Sequence, residues 1–210
     1  PEWQQPRSPI DCGNSGTTIR LLSGILAGQS FDSALTGDQS LAMRPMKRII
    51  DPLLQMGAKI EAEDYRVPIR IFGGGTLFGR QHELNVASAQ VKSCILLAGL
   101  NAGGKTTVVE PVETRDHTER MLRWFGVEVH EEIAADGKRI SVDGHSRLTA
   151  EDLSIPADIS SAAFFLVAAA CLRGSELRLS NVGLNPTRKA VLDVLLQFGA
   201  EINVENERTV

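Results

Sequence analysis

The sequence predicts an α/β protein assembled from repeated units, on two observations. Gly57-Ala58-Lys59-Ile60-Glu61, Gly126-Val127-Glu128-Val129-His130 and Gly199-Ala200-Glu201-Ile202-Asn203 each close an apolar helical pattern and open a strand. The three glycines recur at a spacing of roughly 70 residues, the mark of a multi-unit architecture. An apolar content of 42% with 5% aromatic residues suits an ordinary α/β chain of this kind.

In the first unit the patterns predict a helix over 16–27, a strand over 33–36, a helix over 45–56, and strands over 59–63 and 67–72. The second unit opens with a strand over 83–86. A helix over 89–100, a strand over 106–110, a helix over 116–125 and strands over 127–131 and 139–142 follow. The third carries a helix over 160–172, a strand over 176–180, a helix over 186–198 and a strand over 201–205. Gly57, Gly126 and Gly199 stand where a helix ends in a left-handed cap, and Pro45 and Pro186 fit a first helical turn. Cys94-Ile95-Leu96-Leu97-Ala98 and Phe164-Phe165-Leu166-Val167-Ala168 are apolar all round, which predicts helices buried on every side. The second helix of each unit is amphipathic and is expected outside, against a sheet. The stretch 148–157 is the expected boundary, which gives domains over 1–154 and 155–210.

The net charge is −4 over 210 residues. Nucleic-acid binders usually carry a basic footprint, so this balance gives that class no support. No apolar run approaches the ~20 residues of a membrane span. Cys12, Cys94 and Cys171 show no Cys-x-x-Cys pairing, which favours a reducing, cytoplasmic setting. Cys94 and Cys171 read as core residues, whereas Cys12 could be reactive. The histidines lack zinc-ligand spacing, so neither metal nor cofactor is expected. Pro1-Glu2-Trp3 does not resemble a natural start, and Val210 closely follows a strand-like run; the chain reads as part of a longer protein.

The polar residues capable of chemistry gather just before helices begin. Asn14-Ser15-Gly16-Thr17-Thr18-Ile19-Arg20 is either an anion cradle of free N–H groups or a plain N-cap. In Gly37-Asp38 through Arg44-Pro45-Met46, Arg44 either grips a carboxylate or phosphate at two points or is a surface arginine beside a turn. Ser88-Ala89-Gln90-Val91-Lys92-Ser93 enters an apolar helix. Ser88 and Gln90 there are either capping and tertiary hydrogen-bonding groups or contacts to a phosphorylated substrate, and Lys92 is hard to explain as core filling. In Glu113-Thr114-Arg115-Asp116-His117-Thr118-Glu119-Arg120, Thr114 or Asp116 with Glu119 suits an N-cap, and Arg115 suits an anion contact. His117 reads as structural. Asp158-Ile159-Ser160 and Asn185-Pro186-Thr187-Arg188 read as helix caps. Converging, these starts would form a positive cleft for a ligand bearing phosphate and carboxylate.

Taken in order, these motifs, together with Asn181-Val182-Gly183-Leu184-Asn185-Pro186-Thr187-Arg188, resemble the 5-enolpyruvylshikimate-3-phosphate (EPSP) synthase family from about Asp11 onward. The resemblance implies an enolpyruvyl transferase fold of two domains, each of three βαβαββ units, closing on the substrates. It also implies a cytoplasmic shikimate-pathway enzyme of aromatic amino-acid biosynthesis. That enzyme would move the enolpyruvyl group of phosphoenolpyruvate to the 5-hydroxyl of shikimate 3-phosphate, by addition and then elimination of phosphate. On this resemblance Ser88, Ala89, Gln90 and Arg115 bind shikimate 3-phosphate. Arg44, Gln90, Gly16 and Thr17 form the phosphoenolpyruvate pocket, where glyphosate also binds. Asn14 and Arg20 support it, and Asp158 sits at the crossing between domains. The family's catalytic residues match no position here, so the chain alone is expected to be inactive. The complete protein is expected to be a monomer with these two substrates as its partners, without nucleic acid or membrane. The alternatives are the sister transferase acting on UDP-N-acetylglucosamine and a non-catalytic module that binds phosphorylated metabolites.

Overall fold

The structure is a computed structural model that describes residues 3–135 and 137–208; Pro1 and Val210, noted above, lie outside them. It separates into two compact units, Pro1–Thr149 and Ala150–Val210.

The first unit contains the repeat twice. β1 (Ile10–Asp11), α1 (Gly16–Leu26), β2 (Ser33–Thr36), a short α2 (Gln39–Ala42), α3 (Lys47–Gln55), β3 (Lys59–Glu61) and β4 (Ile69–Phe72) make the first copy. β5 (Gln81–Glu83), α4 (Ala89–Gly99), β6 (Lys105–Glu110), α5 (His117–Trp124), β7 (Val129–Ala134) and β8 (Gly137–Asp143) make the second. The sheets have the same order, β1-β2-β4-β3 and β5-β6-β8-β7. In each, the first two strands are parallel and the others antiparallel. Two parallel strands need a crossover, which α1 and α4 supply. Each then returns through an antiparallel pair on one hinge glycine. Gly57 and Gly126 take φ of +100° and +80°, conformations that a side chain disfavours.

α4 is buried along its whole length from Val91 to Gly99, as its apolar run from Cys94 to Ala98 requires, with Lys92 and Ser93 buried alongside. α1 lies directly against it. A Cβ placed on Gly24 would fall 2.2 Å from the Cys94 carbonyl oxygen, so the two backbones meet with no side chain between them. Ile19, Leu26, Ile49, Leu53, Ile69, Cys94, Ile95, Val108 and Ile140 share the core around this pair.

Several expectations are corrected. The strand predicted over 83–86 is β5, which spans Gln81–Glu83, and Leu84 N makes a further bond to Val109 O at 2.9 Å. The helices expected to begin at Pro45 and Pro186 begin at Lys47 and Ala190 instead, and each proline sits in the turn before. On α5 the inward face is Thr118, Glu119 and Leu122, whereas Trp124 is exposed.

The second unit holds α6 (Ile159–Cys171) and α7 (Ala190–Gln197), joined over a small core of Ile159, Ala162 and Leu192. Its third copy of the repeat is only partly formed. The strands expected over 176–180 and 201–205 are absent among the described residues, and a lone parallel bridge, Ala157 to Val182, stands where the parallel pair stands elsewhere. The topology explains this. In both complete sheets the last strand of the copy lies between the second and third strands and joins them. No such joining strand exists here among the described residues. Side chains at 178 and 205 still meet, through Arg178 Nη2 and Glu205 Oε2 at 2.9 Å. α6 is correspondingly not buried all round: Phe164 and Phe165 are 79% and 62% exposed, and Cys171 is exposed rather than core. Gly199 nevertheless keeps the left-handed cap, at φ +86°.

Candidate functional site

The site-bearing segments share one topological position. β1 pairs with β2 up to Asp11 and Thr36, and β5 pairs with β6 up to Glu83 and Val109. The segments 14–20, 37–44, 88–92 and 113–116 each leave the carboxyl end of a parallel strand and enter a helix. Ligands favour that end in parallel α/β sheets, where helix starts present N–H groups.

Three of these four segments begin with local capping. Ser15 Oγ accepts from Thr18 N at 3.1 Å, Asp38 Oδ1 from Leu41 N at 2.8 Å, and Ser88 Oγ from Val91 N at 3.4 Å. The capping reading of these residues therefore holds, and the tertiary contacts add to it. Asn14 Nδ2 donates to Asp38 Oδ2 at 2.8 Å, and Arg44 Nη2 donates to Asn14 Oδ1 at 2.7 Å and to Ser40 Oγ at 3.4 Å. The Leu41 amide and the Asn14 amide hold Asp38 below its ordinary value of 3.8. These bonds lock the 37–44 turn to the start of α1.

Gln90 ties the first copy of the repeat to the second. Its Nε2 donates to Thr17 Oγ1 at 2.7 Å, and its Oε1 accepts from Arg20 Nη1 at 3.0 Å. The same Arg20 Nη1 lies 2.9 Å from Gly16 O, so Arg20 folds back over the loop it follows. Burial, then the neighbouring Arg44 and Arg48, lower Arg20 from its ordinary value, though a guanidinium stays charged at any physiological pH. A Cβ on Gly16 would lie 2.5 Å from Arg20 Nη1 and 3.1 Å from Arg44 Nη1. Two cations thus approach one backbone position from two segments. Partly sheltered guanidinium groups beside helix starts can hold a carboxylate or phosphate with directional hydrogen bonds.

Ala89 is the first residue of α4. Arg115 lies in the connection between β6 and α5, exposed, with no hydrogen bond or ion pair to another described residue. The N-cap expected from Asp116 is not made: its carboxylate accepts from Arg120 Nε at 2.8 Å instead, because one helical turn brings that charge within reach. His117 is exposed on the first turn of α5. Asp158 belongs to the second unit and caps α6 through Ser160 N at 2.9 Å, with Arg188 Nη2 at 3.1 Å. Cys12 is buried, and burial followed by Asp11 raises its thiol, which disfavours the reactive thiolate.

Behind these segments lies a group that sequence reading left unexplained. Lys92 is fully buried, with Nζ 3.0 Å from Glu110 Oε1 and 2.6 Å from Glu119 Oε1. The Glu119 contact is an ion pair by distance, since no described donor aligns with its oxygens as a hydrogen bond. Burial raises Glu119 from its ordinary value of 4.5, and Lys92 opposes the rise. The signal in the sequence was a lysine inside an apolar helix, which must find an acid partner.

The family model of EPSP synthase, 3-phosphoshikimate 1-carboxyvinyltransferase, matches residues 1–210. The chain belongs to the EPSP synthase family. It is 56% identical over 206 residues to the 3-phosphoshikimate 1-carboxyvinyltransferase of Alkalilimnicola ehrlichii, a match covering 98% of this chain and 45% of that protein. The enzyme of the same name from Coxiella burnetii is 56% identical over 201 residues, covering 96% and 45%. The solved EPSP synthase of Acinetobacter baumannii superimposes with a TM-score of 0.85 at 53% identity, covering 97% of this chain and 45% of that one. The chain therefore spans a little under half the length of these EPSP synthases. Family membership accounts for the α/β repeat, and the sister transferase for UDP-N-acetylglucosamine is not favoured.

Proposed function

We propose that this chain carries the shikimate 3-phosphate site, and part of the phosphoenolpyruvate site, of an enzyme that makes 5-enolpyruvylshikimate 3-phosphate and phosphate. The observation that supports this most is the Gln90 amide, which joins Thr17 and Arg20 to the start of α4 beside the Arg44–Asn14 pair. One side chain so placed can touch two ligands held by neighbouring segments. Ser88, the Ala89 N–H and Arg115 bind the shikimate phosphate. Arg44 grips phosphoenolpyruvate, and Gly16 and Thr17 border its pocket. Asn14 and Arg20 hold that pocket in shape, and Asp158 marks the crossing between the two domains, 1–154 and 155–210.

The chemistry asks two things of these residues. The substrates must be aligned so that the 5-hydroxyl meets the enolpyruvyl carbon, which saves most of the entropy of bringing them together. Fixed positive charge must also face the phosphate and carboxylate as charge redistributes during addition and elimination. Arg44 and Arg115 supply charge, and Gln90 supplies alignment. The complete enzyme is a cytoplasmic monomer. No helix among the described residues is long and apolar enough to cross a membrane.

The test is isothermal titration of the 210-residue chain with shikimate 3-phosphate. Saturable binding that disappears in Arg115→Ala is the expected result. Equal binding by the variant would move the phosphate site elsewhere. The chain is expected to show no turnover when both substrates are supplied, and near-enzyme rates would contradict that. In a complete enzyme, Gly16→Ala is expected to raise the inhibition constant for glyphosate more than the KM for phosphoenolpyruvate, because the new methyl crowds Arg20 and Arg44. Equal changes in both constants would sink this pocket assignment.

A further inference from the structure

The buried lysine stands directly behind the segments assigned to phosphate. Lys92 lies one helical turn beyond Ser88 on α4. It holds Glu110, the last residue of β6, and Glu119 on α5. Glu110 continues the chain of contacts outward: its Oε2 accepts from Thr114 Oγ1 at 2.7 Å and its Oε1 from Thr114 N at 3.3 Å. Ser93 and Thr118 share a hydroxyl hydrogen bond of 2.6 Å beside it. On the outer side, Lys138 Nζ reaches Glu113 Oε1 at 2.8 Å. The connection carrying Arg115 is thus held by the residue just before it and by the one before that.

A buried ion group costs desolvation, and an apolar cluster of similar volume would often be at least as stable. What the ionic version adds is direction. Each oxygen of Glu110 has an assigned partner, and Thr114 cannot shift without breaking a hydrogen bond to a charged group. Arg115, which has no partner of its own among the described residues, takes its position from Thr114.

We propose that Lys92, Glu110 and Thr114 form a positioning relay that fixes the Arg115 connection relative to the start of α4, so that Arg115, Ser88 and Gln90 meet a phosphorylated substrate already in register. Thr114 is a positioning residue, acting through Arg115. The inference rests on the shikimate 3-phosphate reading above.

The experiment combines amide hydrogen exchange of the ligand-free 210-residue chain with titration of shikimate 3-phosphate, for the parent, Thr114→Val and Thr114→Ser. Valine keeps the shape and removes the hydroxyl, while serine keeps the hydroxyl. Valine is expected to speed exchange over 111–116 by about tenfold or more and to weaken binding by a similar factor, the scale of one hydrogen bond to a charged group. Exchange in β6, β8 and α4 is expected to stay as in the parent, and serine is expected to restore both readings. Three results would overturn the relay: a valine variant that behaves as the parent, acceleration spread evenly over the unit, or failure of serine to rescue. If the parent does not bind shikimate 3-phosphate, the substrate reading fails. Exchange over 111–116 then decides the relay by itself.

Discussion

Two glycines one helix apart in role show how local geometry separates site from scaffold. At Gly16 an added methyl meets the tips of Arg20 and Arg44, side chains that can yield by giving up hydrogen bonds to Gly16 O, Gln90 and Asn14. At Gly24 the same methyl meets the Cys94 carbonyl at 2.2 Å, and a backbone has nowhere to go. Gly16→Ala is therefore expected to cost about 1 kcal/mol, the scale of one displaced hydrogen bond, whereas Gly24→Ala costs about 3 kcal/mol or more by overpacking. Urea unfolding midpoints of the two variants check this, and comparable losses would mean that Arg20 cannot yield. The motif around Gly16 and Arg44 was legible in the sequence because both stand at helix starts in polar runs. The partner of Gln90 was not, since Thr17 lies 73 residues away and only the packing of α1 on α4 brings them together.

α3, α5 and α7 each end at a glycine in left-handed conformation, and after the first two a strand follows. Gly199 has open space around it, so Gly199→Ala pays for the backbone conformation alone, about 1–2 kcal/mol. Gly57→Ala adds a contact of 2.7 Å with the Thr76 carbonyl and is expected to cost more. Thermal melts of the two variants rank them, and the reverse ranking would refute the argument. α5 was harder to read, because its buried face carries an acid. Burial raises Glu119 from 4.5, opposed by Lys92, so the folded chain holds that proton more tightly than the unfolded one. Its contribution to stability is complete below pH 4.5 and is lost as pH rises through the raised value. The stability advantage of the parent over Glu119→Gln is expected to shrink across that window in urea titrations at stepped pH. An advantage that grows with pH would show that pairing with Lys92 outweighs desolvation.

At the scale of the whole chain, the two units differ in what they bury. Pro1–Thr149 has two four-stranded sheets over a continuous core, while Ala150–Val210 has two helices over a small one and leaves Phe164, Phe165 and Phe198 exposed. Amide exchange is therefore expected to be faster throughout 150–208 than in α4 and β6, because few buried contacts protect it. Equal protection in both would contradict the packing described. The helices of the third copy were legible from periodicity. Its missing strands were not, because a strand pattern reports the face a segment would show and says nothing of whether a neighbour is there to bond it. Lys92 and its two acids carry the last consequence, one of descent. Losing the lysine alone strands two buried carboxylates, and losing one acid alone leaves a charge group out of balance, so single steps away are steep. Among related sequences, replacement of Lys92 by an apolar residue is expected to coincide with loss of an acid at 110 or 119, a paired exchange that an independent drift of the three positions would not produce.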